Sequence, residues 1–380
     1  MKFWYILYIF DIVLFIGVAF TTLYLLVFSF ASLFNRHINT SKAKRQNRFI
    51  VLIPAYKSDE VVLQSVISVL GQDYPQRLFD VVVISDHQSE MTNMKLAQYP
   101  ITLLTPNFEK STKAKSLQYA ILNLPEFKIY DAVVVIDADN LVEPTFLDQV
   151  NDAFESAGTK AVIAHRLPKN RETTAARLDA IFEEINTSIF RRGHITLGLS
   201  SAMSGSGVTF EYDWFKRNIM KVRSADEDKE LEAMLMRQRI YVDYFDDIYV
   251  YDEKIHHTSD LSKQRRQWAV AQYKTLLKNI LQLPGAIINR HYDYADKIIQ
   301  WLLIPRMALV GIIGFMCLLL PFIYMTLAVK WWVIGIILGF SFCFATPNHL
   351  VDEHWDNDFL LLPYRLTVSI SRRIIRRLKK

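Results

Sequence analysis

From Ile12 to Phe34 the chain runs for 23 residues without a charged side chain. At about 1.5 Å per helical residue, such a run crosses a hydrocarbon layer of roughly 30 Å. It is too long for the apolar part of a signal peptide, and only one lysine, Lys2, precedes it. The run therefore predicts a membrane-spanning helix within residues 1–35, with Asp11 at its interface. Arg36, Lys42, Lys44, Arg45 and Arg48 follow it closely. Positive charge beside a span marks the cytoplasmic end, which puts the N-terminus outside and residue 36 onward inside.

A second apolar region, Met307 to Thr346, is interrupted only by Lys330. It predicts two spans joined by a hairpin near Lys330, Trp331 and Trp332, with the last span about 16 residues long from Trp331 to Thr346. Tyr294 to Arg306 reads as an interfacial helix leading into them, so residues 294–346 form one membrane unit. Three spans return the chain to the cytoplasm, and Arg372, Arg373, Arg376, Arg377, Lys379 and Lys380 agree with that side. Residues 347–380 are expected as a basic amphipathic tail. Leu360 to Leu362, Tyr364, Leu366, Val368 and Ile374 give it an apolar side for the inner leaflet, the other reading being a solvated charged tail. The expected location is integral to an inner or plasma membrane, with membrane lipids as partners.

Hydrophobic residues are 51% of the chain and gather at its two ends, which excludes a wholly soluble or disordered protein. Lys and Arg number 44 against 39 Asp and Glu, a net charge of +5, with much of the excess beside the apolar segments. That placement argues against a nucleic-acid partner. The only cysteines, Cys317 and Cys343, lie in apolar stretches, so neither a disulfide framework nor a cysteine zinc site is written here. A transporter is disfavoured because Lys330 is the only charge within the second and third spans.

Residues 48–290 have ordinary composition and alternate short β-rich runs with helical patterns. FIVLIPAY, DVVVISD and DAVVVIDAD are continuously apolar and then turn polar, as buried parallel strands do. Val61, Val62, Ser65, Val66, Val69 and Leu70 recur at helical spacing between the first two, giving βαβ order. Ligands of such sheets bind beyond the carboxyl ends of the strands. Asp137 and Asp139 end the third run there, two hard oxygen donors suited to Mg or Mn bridging a diphosphate. An isolated Asp-x-Asp is as readily a solvated turn, and its place after VVVI is what distinguishes this one.

Further segments fall in a fixed order around it: VLIPAYKSDEVVLQSVISVLGQDYP, VISDHQSEMT, STKAKSLQYAI, SGSGVTF, SADEDKELEAML and QRRQW. Together they resemble the inverting family 2 glycosyltransferases, most closely the membrane branch of cellulose, chitin-oligosaccharide and hyaluronan synthases, from Phe49 to Tyr273. The resemblance implies an α/β domain of GT-A type that binds a nucleotide-sugar on a mostly parallel central sheet, here flanked by N- and C-terminal transmembrane helices. It implies base and ribose contacts from Pro54, Ala55, Tyr56 and Glu60, and a base contact from Asp86, with Ser85 where the family usually has another Asp. Lys113 falls at the family's diphosphate lysine and Lys115 where a glycine is usual. Asp137 and Ala138 fall on the donor side, and Asp137 with Asp139 on the metal.

The same resemblance puts Ser204 and Gly205 beside the acceptor, Glu227 next to them and the catalytic base at Asp228. Gln264, Arg265, Arg266, Gln267 and Trp268 resemble the motif of the polymer-forming branch, with Gln267 replacing its arginine and Arg265 or Arg266 able to supply the cation. His256 and His257 read as polar surface. The implied reaction transfers a sugar, with inversion, from a nucleotide diphosphate donor such as a UDP-sugar to a saccharide or lipid-linked acceptor, with Mg or Mn as cofactor. Three spans with almost no polar lining cannot house a polymer channel, so a separate exporter or a homo-oligomer completes any export path. A membrane accessory subunit that keeps the fold but does no chemistry is the alternative. Ser85 and Gln267 favour that alternative; Asp137, Asp139 and Asp228 oppose it.

The orientation can be tested with single-cysteine variants in a background lacking Cys317 and Cys343. On whole cells, an impermeant thiol reagent is expected to label Phe3→Cys and spare Ser58→Cys. The opposite pattern reverses the topology.

Overall fold

A computed structural model describes residues 2–34, 40–125, 127–170, 172–224, 226–253 and 258–346. The expected tail helix, Arg36, His256 and His257 lie outside the described residues. Eight strands form one sheet: β1 (Phe49–Tyr56), β2 (Phe79–Asp86), β3 (Thr102–Leu104), β4 (Ala132–Val135), β5 (Leu141–Val142), β6 (Ala161–Pro168), β7 (Val208–Glu211) and β8 (Val242–Asp252). Their spatial order is β3-β2-β1-β4-β7-β6-β8-β5. The three apolar runs are β2, β1 and β4, adjacent and parallel. The sheet as a whole is mixed, because β7 runs antiparallel to both β4 and β6, and β5 to β8.

Side chains alternate between two buried layers, as the two-residue period of a strand requires. Ile50, Leu52, Val82 and Val133 face one layer with Leu117 and Ala120 of the helix Lys113–Asn123. Phe49, Val51, Ile53, Val81 and Val134 face the other with Val62, Val66 and Val69 of the helix Val62–Leu70. Strand order reverses direction at β1, with β2 on one side and β4 on the other, and the ends of these strands open the crevice in which such sheets bind ligands.

Among the described residues, three helices are long and apolar enough to cross a membrane: Tyr8–Ala31 within Lys2–Ala31, then Arg306–Ile323 and Met325–Ala345. The break between the last two falls at Tyr324, not near Lys330, and the final helix has 21 residues instead of the expected 16. Pro321 explains the shift. It offers no N–H to the carbonyl of Cys317, and the indole of Trp332 donates to that oxygen at 3.3 Å. Lys330 thus lies inside a helix, where its ammonium donates to Asp11. Trp331 Nε1 donates to the other oxygen of the same carboxylate at 2.8 Å. Asp11 is accordingly buried against the last of these helices.

The apolar bundle meets the α/β domain along a helical stretch, and at the helix Tyr292–Leu302 through Tyr24 and Asp296. A π-helical segment, Thr187–Arg192, joins the helix Thr174–Asn186 to Gly193–Thr196. A Cβ on Gly193 would stand 2.2 Å from the backbone oxygen of Phe28 in the first apolar helix. The Phe28 ring stacks on His194, centroids 3.8 Å apart. The helix expected over Tyr294–Arg306 spans Tyr292–Leu302, and Tyr294, Ile298 and Trp301 pack into the layer that carries Leu117.

Gly193→Ala must push this helix off the first apolar helix, so it is expected to destabilise by about 1–3 kcal/mol, the usual cost of overpacking. Gly285→Ala, where a Cβ meets nothing within 4 Å, is the control. Thermal unfolding of both purified variants in detergent checks the difference.

Candidate active site

The first corner of the crevice is made where β1 and β2 stop. Tyr56 and Asp86 are register partners, and each is followed by a non-glycine residue in the left-handed region, Lys57 at φ 48° and His87 at φ 57°. Both chains therefore turn sharply away from the sheet and leave Tyr56 half exposed at the mouth. Asp86 is fully buried. Its Oδ1 pairs with His87 Nδ1 at 2.6 Å, while its Oδ2 has no hydrogen-bond partner. A buried carboxylate oxygen without a donor calls for one from outside, and a heterocyclic N–H suits it. The Tyr56 and His87 rings meet edge to face at 5.7 Å. Ala55 is buried, Pro54 is half-buried behind Tyr56, and Glu60 is exposed on the turn ahead of Val62–Leu70.

The second corner centres on Lys113, the first residue of its helix, which Thr112 caps by accepting from Lys115 N. The Lys113 ammonium donates to Asp137 Oδ1 and to the carbonyl of Gly205 at 2.6 Å, and lies 3.7 Å from Glu227 Oε1. Burial by itself would lower the pKa of Lys113, but Asp137, Glu227 and Asp228 hold it above the ordinary lysine value. The loop it touches is shaped by Gly207, whose φ of +70° and closeness to Val250 leave no room for a side chain. Ser206 in that loop accepts from Asp137 N at 2.9 Å, and Ser204 donates to Ser206 O at 2.7 Å. One pocket is lined by Lys113, Ser204, Gly205, Glu227 and Asp228.

Glu227 and Asp228 open the helix Glu227–Arg237, whose Leu231 and Leu235 anchor it in the core. Burial pushes the Glu227 carboxyl up to about 7, with Lys113 opposing and Asp228 adding to the rise. Asp228 is half-buried and accepts from the next amide, Lys229 N, at 2.8 Å. Ala138 is buried between the two aspartates. Asp139 is pushed up to about 6 by burial, then by the nearby carboxylates of Asp252 and Asp137, against the pull of Arg166. Crowded carboxylates that hold protons toward neutral pH are the donor set a hard divalent cation relieves. Asp139, with the Asp137 carboxylate crowding it, therefore fits Mg or Mn.

Arg166 and Asp252 belong to this corner, and the sequence reading missed them. Arg166 Nη2 donates to Asp252 Oδ2 at 2.5 Å across β6 and β8. The available signals were an arginine inside the strand AVIAHRLP and an acid ending YFDDIYVYD. Asn140, fully buried beside Asp139 with neither amide atom bonded, is a third. Lys115 is not brought here: its ammonium donates to Lys110 O at 2.6 Å and lies 5.8 Å from the Phe108 ring. Gln264 to Trp268 sit on the helix Thr258–Asn279 with Arg266 exposed, and the side chains of Gln264, Arg265, Gln267 and Trp268 lie outside the described residues.

A family model described as glycosyltransferase-like family 2 matches residues 46–271. No curated protein matches. Among solved structures, the chain is similar to a mannosyltransferase of Pyrobaculum calidifontis in complex with GDP-Man and Mn2+. The two share 15% identity over 86% of this chain and 99% of that one, with a TM-score of 0.49. It is also similar to residues 1–349 of TarS from S. aureus in complex with UDP-GlcNAc, at 14% identity over 78% and 89% of the two chains and a TM-score of 0.41.

The carboxyl of Glu227 is raised, so between the ordinary value of 4.5 and about 7 the folded protein holds a proton that the unfolded chain has released. Stability is therefore lost as pH rises through that window and levels off above it. Glu227→Gln is expected to reduce the slope, most clearly between about pH 6 and 7, where the Asp139 contribution has ended. Melting temperatures across a pH series check it; an unchanged slope refutes it.

Proposed function

The chain belongs to the glycosyltransferase-like family 2, with a GT-A-like α/β domain on a mixed sheet, and from that premise we propose a membrane-bound inverting glycosyltransferase. The donor we propose is a nucleotide-diphosphate sugar, UDP-linked, and the acceptor a saccharide or lipid-linked hydroxyl. One observation carries the reading. Lys113 draws the Asp137 carboxylate, the Gly205 loop and Glu227 to a single point, with Asp228 lining the same pocket.

In this reading Tyr56 supports the nucleobase and Asp86 Oδ2 accepts its N–H. Lys113 neutralises negative charge that grows on the leaving diphosphate. Mg or Mn, held by Asp137 and Asp139, supplies further charge neutralisation to the diphosphate when bound. Asp228 takes the proton of the acceptor hydroxyl as its oxygen bonds to the anomeric carbon and the bond from that carbon to the diphosphate breaks. A single displacement from the opposite face inverts the anomeric centre and needs only this one base. A hydrolase would need a second carboxylate across the glycosidic bond and has no use for the Asp86 corner.

The basic residues around the first and third spans support a cytoplasmic site, with products left on that side for a separate exporter or a homo-oligomer. The retained carboxylates weigh against an inactive accessory subunit. UDP release from a panel of UDP-sugars with Mg or Mn, using the full chain in detergent, tests the reading; no release with any donor and acceptor refutes it. Asp228→Asn is expected to lower turnover about 10²–10⁴-fold, the usual contribution of a positioned base, with UDP binding nearly unchanged. Asp139→Ala is expected to remove the metal dependence of UDP binding. Titration of UDP with and without Mn separates the two variants.

A further inference from the structure

Lys297 is fully buried, which is rare for a lysine and costly unless its three donors are answered. They are. On the helix Tyr292–Leu302, its ammonium donates to Ser201 O at 3.3 Å and Gln300 Oε1 at 3.2 Å, and pairs with Glu232 Oε1 at 3.4 Å. Glu232 is itself buried, one turn beyond Asp228 on the same helix, and accepts from Met203 N at 2.8 Å. Lys297 thereby fixes the two segments that line the pocket, the chain leading into Ser204 and Gly205 and the helix carrying the base.

The other side of Lys297 reaches the membrane helices. Gln300 Nε2 donates to Asp296 Oδ2 at 2.7 Å and lies 3.0 Å from His194 Nε2. Tyr24, in the first apolar helix, donates to Asp296 Oδ1 at 2.6 Å. His194 Nδ1 lies 2.7 Å from Ile189 O, and its Nε2 faces Tyr24 Oη at 2.9 Å and Asp296 Oδ2 at 3.2 Å as well as Gln300. A continuous polar chain, Tyr24, Asp296, Gln300, Lys297 and Glu232, therefore runs from the first span to the catalytic helix. Its members touch neither the nucleotide corner nor the Asp137–Asp139 pair. A buried ion pair adds little net stability over an apolar pair of the same shape, so its physical return is a fixed geometry.

We propose that Lys297 is a positioning residue for Asp228, and that through this chain the first span sets the placement of the catalytic helix, acting as part of the site as well as an anchor. The proposal rests on the glycosyltransferase reading. Chemistry sensitive to sub-ångström placement of the base should suffer when the chain is cut, while nucleotide binding at the Tyr56–Asp86 corner, which no member of the chain touches, should suffer far less.

The test uses the full chain in lipid nanodiscs with Lys297→Met, Tyr24→Phe, Glu232→Gln and the Lys297→Met/Glu232→Gln double variant. Turnover, donor KM and UDP affinity are read, together with hydrogen exchange in residues 201–205 and 227–237. Lys297→Met is expected to lower kcat about 10- to 100-fold, with KM and UDP affinity nearly unchanged. Exchange in both segments should rise, and Tyr24→Phe should show the same pattern more weakly, from inside the membrane. The double variant, which removes both charges of the Lys297–Glu232 pair at the cost of the Glu232 contact with Lys229, should recover part of the loss. Should Lys297→Met not fold, Tyr24→Phe and Glu232→Gln decide by the same readouts. Wild-type exchange and kcat in the variants overturn the proposal, and so does a fall in kcat matched by loss of UDP binding and by exchange rising throughout the domain. A wild-type chain that turns over no donor defeats the glycosyltransferase reading instead, and the exchange data still decide whether the chain positions the helix.

Discussion

A cation withdrawn from water must find oxygen atoms to replace it, and the organisation of this molecule depends on that requirement being met by Lys113. An unpaired buried charge costs several kcal/mol, whereas a well-partnered one comes near to breaking even. The partners of Lys113 come from segments far apart in the chain: Asp137 after β4, Gly205 ahead of β7, and Glu227 at the start of a helix. Hydrophobic burial forms the two layers of the sheet, but it is indifferent to which loops meet at the strand ends. The ammonium is what selects that meeting. Arg166 does the same for β6 and the end of β8 through Asp252, beside Asp139.

The consequence is a crevice divided by charge. At the Asp86 corner an acceptor stands unanswered beside exposed aromatic rings, an environment for a neutral heterocycle. At the Lys113 corner, cations and carboxylates alternate instead. Glu227 and Asp228 are neighbours with different surroundings. The first is buried against Lys113 and pushed up to about 7, and the second is half-buried at the helix start.

The central strands were legible because β1, β2 and β4 are buried on both faces and their apolar runs are unbroken. β7 was less so: VTFE is four residues long and its antiparallel place between β4 and β6 depends on a glycine-shaped turn. Asp137, Asp139 and Asp228 could be found as acids at the ends or starts of regular elements. Arg166 and Asp252 could not be paired from sequence, because their meeting depends on the register of β6 on β8 past an irregularity at Ala164 and His165. The hairpin was misplaced for a related reason. Lys330 looked like a turn residue when no partner for it was visible, and Asp11, 319 residues away, is that partner.

That separation has a bearing on how the molecule is made. Chains leave the ribosome at about 5–20 residues per second, so Asp11 is made on the order of tens of seconds before Lys330 exists to meet it. Throughout that interval the carboxyl of Asp11 lacks the two donors that enclose it in the folded chain, the Lys330 ammonium and the Trp331 indole. Both arrive on the helix Met325–Ala345, so the surroundings of this early residue are completed by a segment made long after it.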